Sequence, residues 1–115
     1  MKFVMISFVL CLYLSFANAQ IPGGLGPPQT ATPEVQGYAD EVRSDIENQA
    51  GVNTFTKFEV ISFRAQVVAG SNFFMKIKVG CNEYIHARIF RSLTGSVSLS
   101  SIQVNKSLND PIDYF

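Results

Sequence analysis

Cysteine and histidine, the side chains best suited to nucleophilic and acid–base chemistry, are scarce in this chain of 115 residues. The sequence holds one histidine, His86, and two cysteines, Cys11 and Cys81. Cys81 and His86 stand five residues apart, and such a pair activates a thiolate nucleophile when both groups line a substrate cleft. The surrounding pattern instead places Cys81 in a turn and His86 on the exposed face of the strand that follows. We therefore expect no catalytic dyad.

Other catalytic and cofactor signatures do not occur in the sequence. It lacks a phosphate-binding loop, a dinucleotide fingerprint, a zinc-ligand spacing and a nucleophile elbow. Adjacent carboxylates such as Asp40 and Glu41 fit the solvent-facing side of a helix. The 9 Lys and Arg balance the 9 Asp and Glu, whereas a nucleic-acid-binding domain normally carries excess positive charge. The sequence predicts a protein that is not an enzyme, with no metal, no cofactor and no nucleic-acid partner.

Apolar residues occupy one bend where polar residues are usual. In Gln66-Val67-Val68-Ala69-Gly70, two β-branched residues stand at the predicted turn between two strands. Their stiff side chains cannot both face a core, because neighbouring residues of a strand point to opposite sides. Apolar side chains exposed at a loop tip often form a contact surface. A protein-binding loop and an ordinary pair of strand ends are both compatible with this pattern.

The N-terminal residues have the composition of a secretory signal peptide. Lys2 precedes an apolar run from Phe3 to Phe16, and Ala17-Asn18-Ala19 places small residues where a signal peptidase cleaves. The run is shorter than the ~20 apolar residues of a membrane-spanning helix. We predict a signal peptide over residues 1–19 and a secreted protein over residues 20–115, with no membrane partner. An uncleaved membrane anchor is the alternative.

Removal of such a peptide would leave Cys81 as the only cysteine. It could then form no internal disulfide and would remain a free thiol or link two molecules. Because it stands in a predicted turn, we expect mainly a monomer with a minor disulfide-linked dimer through Cys81; a half-buried, inert thiol is the alternative. In a secreted protein, the sequon Asn105-Lys106-Ser107 is either glycosylated or unoccupied at Asn105.

The predicted helix follows a segment of very different composition. Residues 20–32 contain three Gly and three Pro and predict a flexible arm, which either stays disordered or becomes ordered on a partner. Thr32-Pro33 is typical of a helix start, and Gly51 is typical of a helix end. Between them, apolar residues recur at helical spacing and define one face, namely Val35, Tyr38, Ala39, Val42 and Ile46.

From residue 55 onward the apolar residues alternate, as they do in strands with one buried face. Short turns between the strands predict an antiparallel meander, and one helix packed on such a sheet is an α+β domain. The cations Lys76, Lys78, Arg88 and Arg91 fit a solvated outer face as well as a ligand site. A bulge is predicted between Ser100 and Ser101. The alternating apolar sets are Ile61, Phe63, Ala65 and Val67; Phe73, Met75, Ile77 and Val79; Ile85, Ala87 and Ile89; and Val97, Leu99, Ile102 and Val104.

Several stretches together resemble one protein family. The pentapeptide Gln66 to Gly70 is the signature of the cystatins, inhibitors of papain-like cysteine proteases, and the chain is most similar to their stefin branch. The resemblance runs in order through residues 20–115. It is carried by Ile21 to Leu25, Ala31 to Glu34, Gln66 to Asn72 and Asp113 to Phe115.

The resemblance implies one α-helix packed on a five-stranded antiparallel sheet, the cystatin fold. It also implies a wedge that fills the cleft of a cathepsin-type cysteine protease without offering a bond to cleave, so that inhibition is competitive and reversible. An N-terminal trunk and two hairpin loops form this wedge. The matching residues are Ile21, Pro22 and Gly23 in the trunk, Gln66, Val67, Val68, Ala69 and Gly70 in the first loop, and Leu93, Thr94 and Gly95 in the second.

The sequence departs from the family pattern in three ways. Stefins usually lack a signal peptide, whereas residues 1–19 resemble one. Secreted cystatins carry two disulfides and a Pro-Trp pair in the second loop, and this chain has neither. Thr94 stands where many stefins have proline, and because threonine does not preset φ we expect a looser second loop. A cystatin-fold binding module with a non-protease partner is the alternative function; an intact trunk and first loop favour the inhibitor.

Overall fold

The structure, a computed structural model, describes residues 24–115. Its five strands neighbour one another in chain order, and every neighbouring pair is antiparallel. This confirms the predicted five-stranded antiparallel sheet. In chain order the elements are β1 (Gln29–Thr30), α1 (Pro33–Glu41), α2 (Arg43–Ala50), β2 (Glu59–Val68), β3 (Gly70–Gly80), β4 (Glu83–Arg91) and β5 (Val97–Lys106).

The prediction of one helix is wrong: the structure has two, because the helical segment divides at Val42 into α1 and α2. Thr32 caps α1, where its hydroxyl accepts a hydrogen bond from Val35 N at 3.2 Å, and Gly51 ends α2 with φ of 77°. At Val42, ψ is 14°, and the amide donates to the carbonyl of Ala39, three residues back instead of four, at 3.2 Å. Neither Gly nor Pro stands beside this position, so the sequence carries no local signal for the division.

The two helices nevertheless share the predicted apolar face. Val35, Ala39, Val42 and Ile46 are all buried, whereas Tyr38 is only partly buried. They pack against the inner face of the sheet, and removing this apolar surface from water stabilises the fold. The sheet residues of this core cluster are Val60, Phe63, Met75, Ile77, Val79, Ile85, Ala87 and Ile89. The core therefore forms from residues that follow the N-terminal arm.

A register shift in β2 changes which of its residues face the core. The shift falls between Val60 and Ser62, so Val60 is buried in place of Ile61, which was predicted to face inward. An extra residue in one strand has this effect because side chains alternate with period two. Val67 belongs to the same alternating set but stands in the predicted bend, and it is 67% exposed.

The bulge predicted in β5 is confirmed. Arg88 pairs with Ser101 and Ile89 pairs with Leu99, which leaves Ser100 as the extra residue. Val104, predicted to face inward, is 46% exposed, because a second register shift between β4 and β5 lies close to it.

Residues 107–115, which we call the C-terminal segment, cover part of the outer face of the sheet. Phe74, Lys76 and His86 are buried there, and the Phe74 ring lies 5.5 Å from the ring of Tyr114. The expectations of an exposed His86 and a solvated Lys76 are therefore wrong. Alternation shows on which face a residue lies, but it does not reveal that a later segment folds back over that face.

Candidate functional site

The N-terminal arm runs along the edge of β2 towards the first hairpin. Gly26 N donates to Ala65 O at 2.8 Å, and Leu25 forms an isolated antiparallel bridge with Gln66. These contacts place Gly24, the first described residue, beside the first hairpin. The predicted trunk residues that precede it, Ile21, Pro22 and Gly23, lie outside the described residues.

The tip of the first hairpin is exposed and apolar. Val68 pairs with Gly70, which leaves Ala69 as the single residue of the turn. Val67 is 67% exposed and Val68 is 41% exposed. Two β-branched side chains thus stand in solvent beside each other, where a partner could bury both.

Gly70 closes this hairpin against β4. Its φ is 111°, and a Cβ at this position would lie 2.6 Å from Arg91 O and 2.9 Å from the Phe90 ring. Both the backbone conformation and the close approach of the neighbouring strand therefore require glycine. Gly70 shapes the loop and is itself buried.

Gln66 supports the loop from behind. It is 7% exposed, and its side-chain oxygen accepts a hydrogen bond from Asn72 Nδ2 at 2.8 Å. The two residues pair directly across β2 and β3, so the bond ties together the strands that carry the tip. The structure thus gives Gln66 a role inside the hairpin.

Ser92 organises the second loop, between β4 and β5. Its amide donates to Ser96 O at 2.8 Å, and its Oγ accepts from Ser96 N at 3.1 Å. The same Oγ lies 2.9 Å from Thr94 Oγ1, and Gly95, with φ of 96°, donates its N–H to Ser92 O at 3.0 Å. This network contradicts the looser loop expected without proline, because the hydroxyl groups close the turn. Leu93 is 82% exposed at the tip.

Both loops lie at the same end of the sheet. In an antiparallel meander the β2–β3 and β4–β5 turns share one end, and the β3–β4 turn lies at the other. The exposed residue Cys81 stands in the β3–β4 turn, at the opposite end from the loops, as predicted. Val67, Val68 and Leu93 are the exposed apolar residues of the two loops, and we call them the loop edge.

The loop edge has no group that could carry out catalysis. Within residues 24–115, no cluster of His, Cys, Asp or Glu could hold a metal ion, and no helix is long and apolar enough to span a bilayer. His86 is fully buried and faces Lys76 Nζ at 3.1 Å, whereas Cys81 is exposed, so the two do not share a cleft. Exposed apolar tips without reacting groups are suited to binding.

Three residues that shape this site were not among the site residues predicted from the sequence: Leu25, Asn72 and Ser92. Leu25 and Asn72 owe their places to the pairing of segments across the sheet, and spacing along one strand does not encode that pairing. The role of Ser92 could have been predicted from the sequence, because hydroxyl residues flanking a glycine are typical of hydrogen-bonded turns.

Comparison with known proteins finds relatives over most of the chain. Residues 23–109 match the family model described as the cystatin domain. Leukocyte cysteine proteinase inhibitor 1 of Sus scrofa is 41% identical over 102 residues, which cover 86% of this chain and 98% of the relative. Cystatin-A of Homo sapiens is 38% identical over 98 residues, which cover 83% of this chain and 99% of the relative. Stefin-3 of Mus musculus is 41% identical over 101 residues, which cover 86% of this chain and 97% of the relative.

The prediction of a secreted protein is contradicted by these relatives. Cystatin-A and Stefin-3 are stefins, which are intracellular proteins, and they give no support to a signal peptide over residues 1–19. That stretch lies outside the described residues and before the family match. The prediction failed because it rested on composition alone, an apolar run followed by small residues. The question of glycosylation at Asn105 depended on secretion and has no remaining basis.

Fold and sequence relatives lead to the same assignment. The sheet order, the helices against one face and the two loops at one end are consistent with the cystatin fold. The matched region covers residues 23–109, and the relatives named above are aligned over nearly their whole length. The chain therefore belongs to the cystatin family, in its stefin branch.

Proposed function

We propose that this chain inhibits cysteine proteases by inserting the loop edge into the active-site cleft of the enzyme. Inhibition is supported by family membership and by a 41% identical relative that is itself named a cysteine proteinase inhibitor. The same family membership supports the prediction that the chain is not an enzyme. The observation that carries the mechanism is the exposure of Val67 and Leu93, 67% and 82%, at one end of the sheet.

The loop edge is suited to burial against the walls of a cleft. Removing apolar surface from water contributes about 25 cal/mol per Å² before the costs of association. Both loops are already ordered, the first by the bond between Gln66 and Asn72 and the second by the Ser92 network. Little conformational entropy is then lost on binding, so more of the free energy gained by burying apolar surface contributes to affinity.

The trunk would supply the third piece of the wedge. Ile21, Pro22 and Gly23 immediately precede Gly24 in the sequence, and three residues span at most about 10 Å. Leu25, which follows these residues and Gly24, bridges to Gln66 beside the first hairpin. This supports their proposed contact with the protease subsites next to the loop edge.

The proposed inhibition is competitive and reversible, and its targets are papain-like proteases of the cathepsin type. The loop edge carries no nucleophile that could form a covalent bond with the enzyme. The first loop is a tight hairpin with strands on both sides, so it does not offer an extended peptide for cleavage. The inhibitor would therefore occupy the cleft and leave it intact.

We propose that the chain acts mainly as a monomer. Cys81 lies at the opposite end of the sheet from the loop edge. A minor dimer linked through this thiol would therefore leave both loop edges free to bind.

A titration of papain with the full chain tests this function. We expect the apparent inhibition constant to rise linearly with substrate concentration, as in competition, and activity to return on dilution. Trypsin, a serine protease, serves as the control and should be unaffected. The proposal is wrong if papain and several cathepsins keep full activity, or if the chain is cleaved during inhibition, as judged from its intact mass.

A further inference from the structure

Arg64, in β2, joins two segments that are far apart in the sequence. Its Nε donates to Gly26 O at 2.8 Å, and its Nη1 donates to Ile112 O at 2.8 Å. Gly26 belongs to the arm that leads into the trunk, and Ile112 belongs to the C-terminal segment. One guanidinium group therefore holds both segments to the same strand.

Gly26 has few other anchors on β2. Its N–H donates to Ala65 O, but the next two residues are prolines, which have no N–H to continue the ladder. Regular pairing of the arm with β2 resumes only at Gln29. Gly26 thus stands at a break in the strand pairing, and Arg64 supplies the second of its two hydrogen bonds to β2.

The C-terminal segment is itself held firmly, so it can brace Arg64. Lys76 in β3 donates from Nζ to two carbonyls of the segment, at 2.7 and 2.8 Å. Arg88 in β4 donates from Nη1 to Phe115 O at 2.9 Å. Three adjacent strands therefore each contribute one cation that binds backbone oxygens of this segment.

The chemistry of this contact requires arginine. The guanidinium carries its N–H donors on separate nitrogens of a rigid plane, so Nε and Nη1 each bind one carbonyl, whereas all the donors of a lysine ammonium diverge from a single nitrogen. Hydrogen bonds from a charged donor are also stronger than those between neutral groups. Among residues 24–115 the one ion pair joins Arg43 and Glu47, so within this range Arg64 meets carbonyls and no carboxylate.

We propose that Arg64 is a positioning residue for protease binding: by holding Gly26 against the braced C-terminal segment, it fixes the part of the arm that follows the trunk. This inference rests on the proposed function. Arg64 pairs with Phe74, four residue pairs from the turn between Val68 and Gly70, which is about 14 Å along the strand. It therefore acts on protease binding through the trunk and not by direct contact.

A double-mutant cycle with the trunk tests the proposal. Arg64→Gln is made in the full chain and in a chain that begins at Leu25, whose core lies within the residues that remain. In the full chain we expect an inhibition constant for papain about tenfold higher, mainly through faster dissociation. In the shortened chain we expect no further effect of the substitution, because the trunk through which Arg64 acts is absent.

Two variants control for structural damage. Arg43→Gln removes a guanidinium of α2 that donates to a carbonyl outside this arrangement, Phe55 O at 2.8 Å, and it should leave inhibition unchanged. Arg64→Lys should recover part of the affinity, since it restores the charge without the two fixed donor positions of the guanidinium. An equal effect of Arg64→Gln with and without the trunk would overturn the proposal, as would unchanged inhibition in the full chain.

Amide hydrogen exchange at Gly26 gives a readout that needs no protease. In full-length Arg64→Gln, this amide should exchange at least about tenfold faster, because opening of the Gly26–Ala65 bond becomes easier. It should keep its protection in Arg43→Gln. Unchanged exchange would overturn the positioning role. Failure of the unsubstituted chain to inhibit papain would instead overturn the proposed function, and the two failures are thereby distinguished.

Discussion

Lys76 Nζ lies 3.1 Å from His86 Nε2, and both side chains are buried beneath the C-terminal segment, at 4% and 0% exposure. Because an ammonium group has only donors, Nε2 must accept, and the imidazole is neutral with its proton on Nδ1. Burial, followed by the positive charge of Lys76, lowers the pKa of His86 to about 4. Lys106 acts in the same direction, and the carboxylates of Asp110 and Asp113 oppose it.

This pair predicts that the fold loses stability in mild acid. The unfolded chain binds a proton at His86 near pH 6.5, whereas the folded chain does so only near pH 4. The contribution of neutral His86 is therefore complete above pH 6.5 and is lost as pH falls to 4, amounting to about 3 kcal/mol. Urea unfolding at pH 7, 5 and 4 measures this loss, and His86→Gln should show a smaller one.

The pKa of His86 can also be measured directly. It is the only histidine in the chain, so the imidazole resonances in an NMR titration report on this residue alone. We expect them to stay at their neutral positions down to about pH 5, since the folded pKa is about 4. A midpoint near 6.5 would contradict the buried contact with Lys76.

A charge in the loop edge should abolish tight inhibition without unfolding the domain. Val68→Asp would place an unpaired carboxylate in an interface from which water is excluded. This should cost about 1–3 kcal/mol of binding free energy. Val52→Asp is a matched control, because Val52 has nearly the same exposure, 39% against 41%, and follows α2, outside both loops. Equal inhibition of papain by the two variants would argue against the loop edge as the contact.

Removal of the trunk should weaken binding and leave stability unchanged. A chain that begins at Leu25 keeps the whole described core, so its thermal midpoint should match that of the full chain. Its dissociation from papain should be faster, since a contact is lost while the encounter through the loops remains. Surface plasmon resonance with both forms measures the two rates, and identical rates would exclude Ile21, Pro22 and Gly23 from the interface.

Loss of the Ser92 hydroxyl should loosen the second loop. Ser92→Ala removes the acceptor of Ser96 N and the contact with Thr94, and each such bond contributes about 1 kcal/mol. We expect a severalfold higher inhibition constant, because Leu93 would have to be ordered on binding. Ser98→Ala, at an exposed position in β5, is the control and should inhibit like the parent. Should both variants behave alike, the hydroxyl network does not order the loop.

Oxidation at Cys81 should leave inhibition intact. The thiol is exposed, so in Cys11→Ser, where Cys81 is the one cysteine, a thiol reagent should label it rapidly, and a minor dimer should form in air. The dimer should inhibit two equivalents of papain, since Cys81 and the loop edge lie at opposite ends of the sheet. The double variant with Cys11→Ser and Cys81→Ser should remain a monomer on a non-reducing gel. Slow labelling with no dimer would instead indicate an inert thiol.

The local elements of this protein could be predicted from its sequence. The start and end of the helical region at Thr32 and Gly51, the turns between the strands and the bulge at Ser100 were each predicted. These features depend on backbone preferences and on side-chain periodicity, which act over a few neighbouring residues. The exposed tip at Val67 and Val68 could be recognised for the same reason, since apolar residues in a bend have no core to enter.

Only the tertiary structure determined how distant segments meet. The burial of His86 and Lys76 requires residues 107–115 to fold back over the outer face, and no alternation along β3 or β4 encodes such a cover. Arg64 reaches partners 38 and 48 residues away in the sequence. The division of the helix at Val42 likewise has no Gly or Pro beside it. Such contacts depend on the packing of the whole domain, which a pattern of neighbouring residues does not contain.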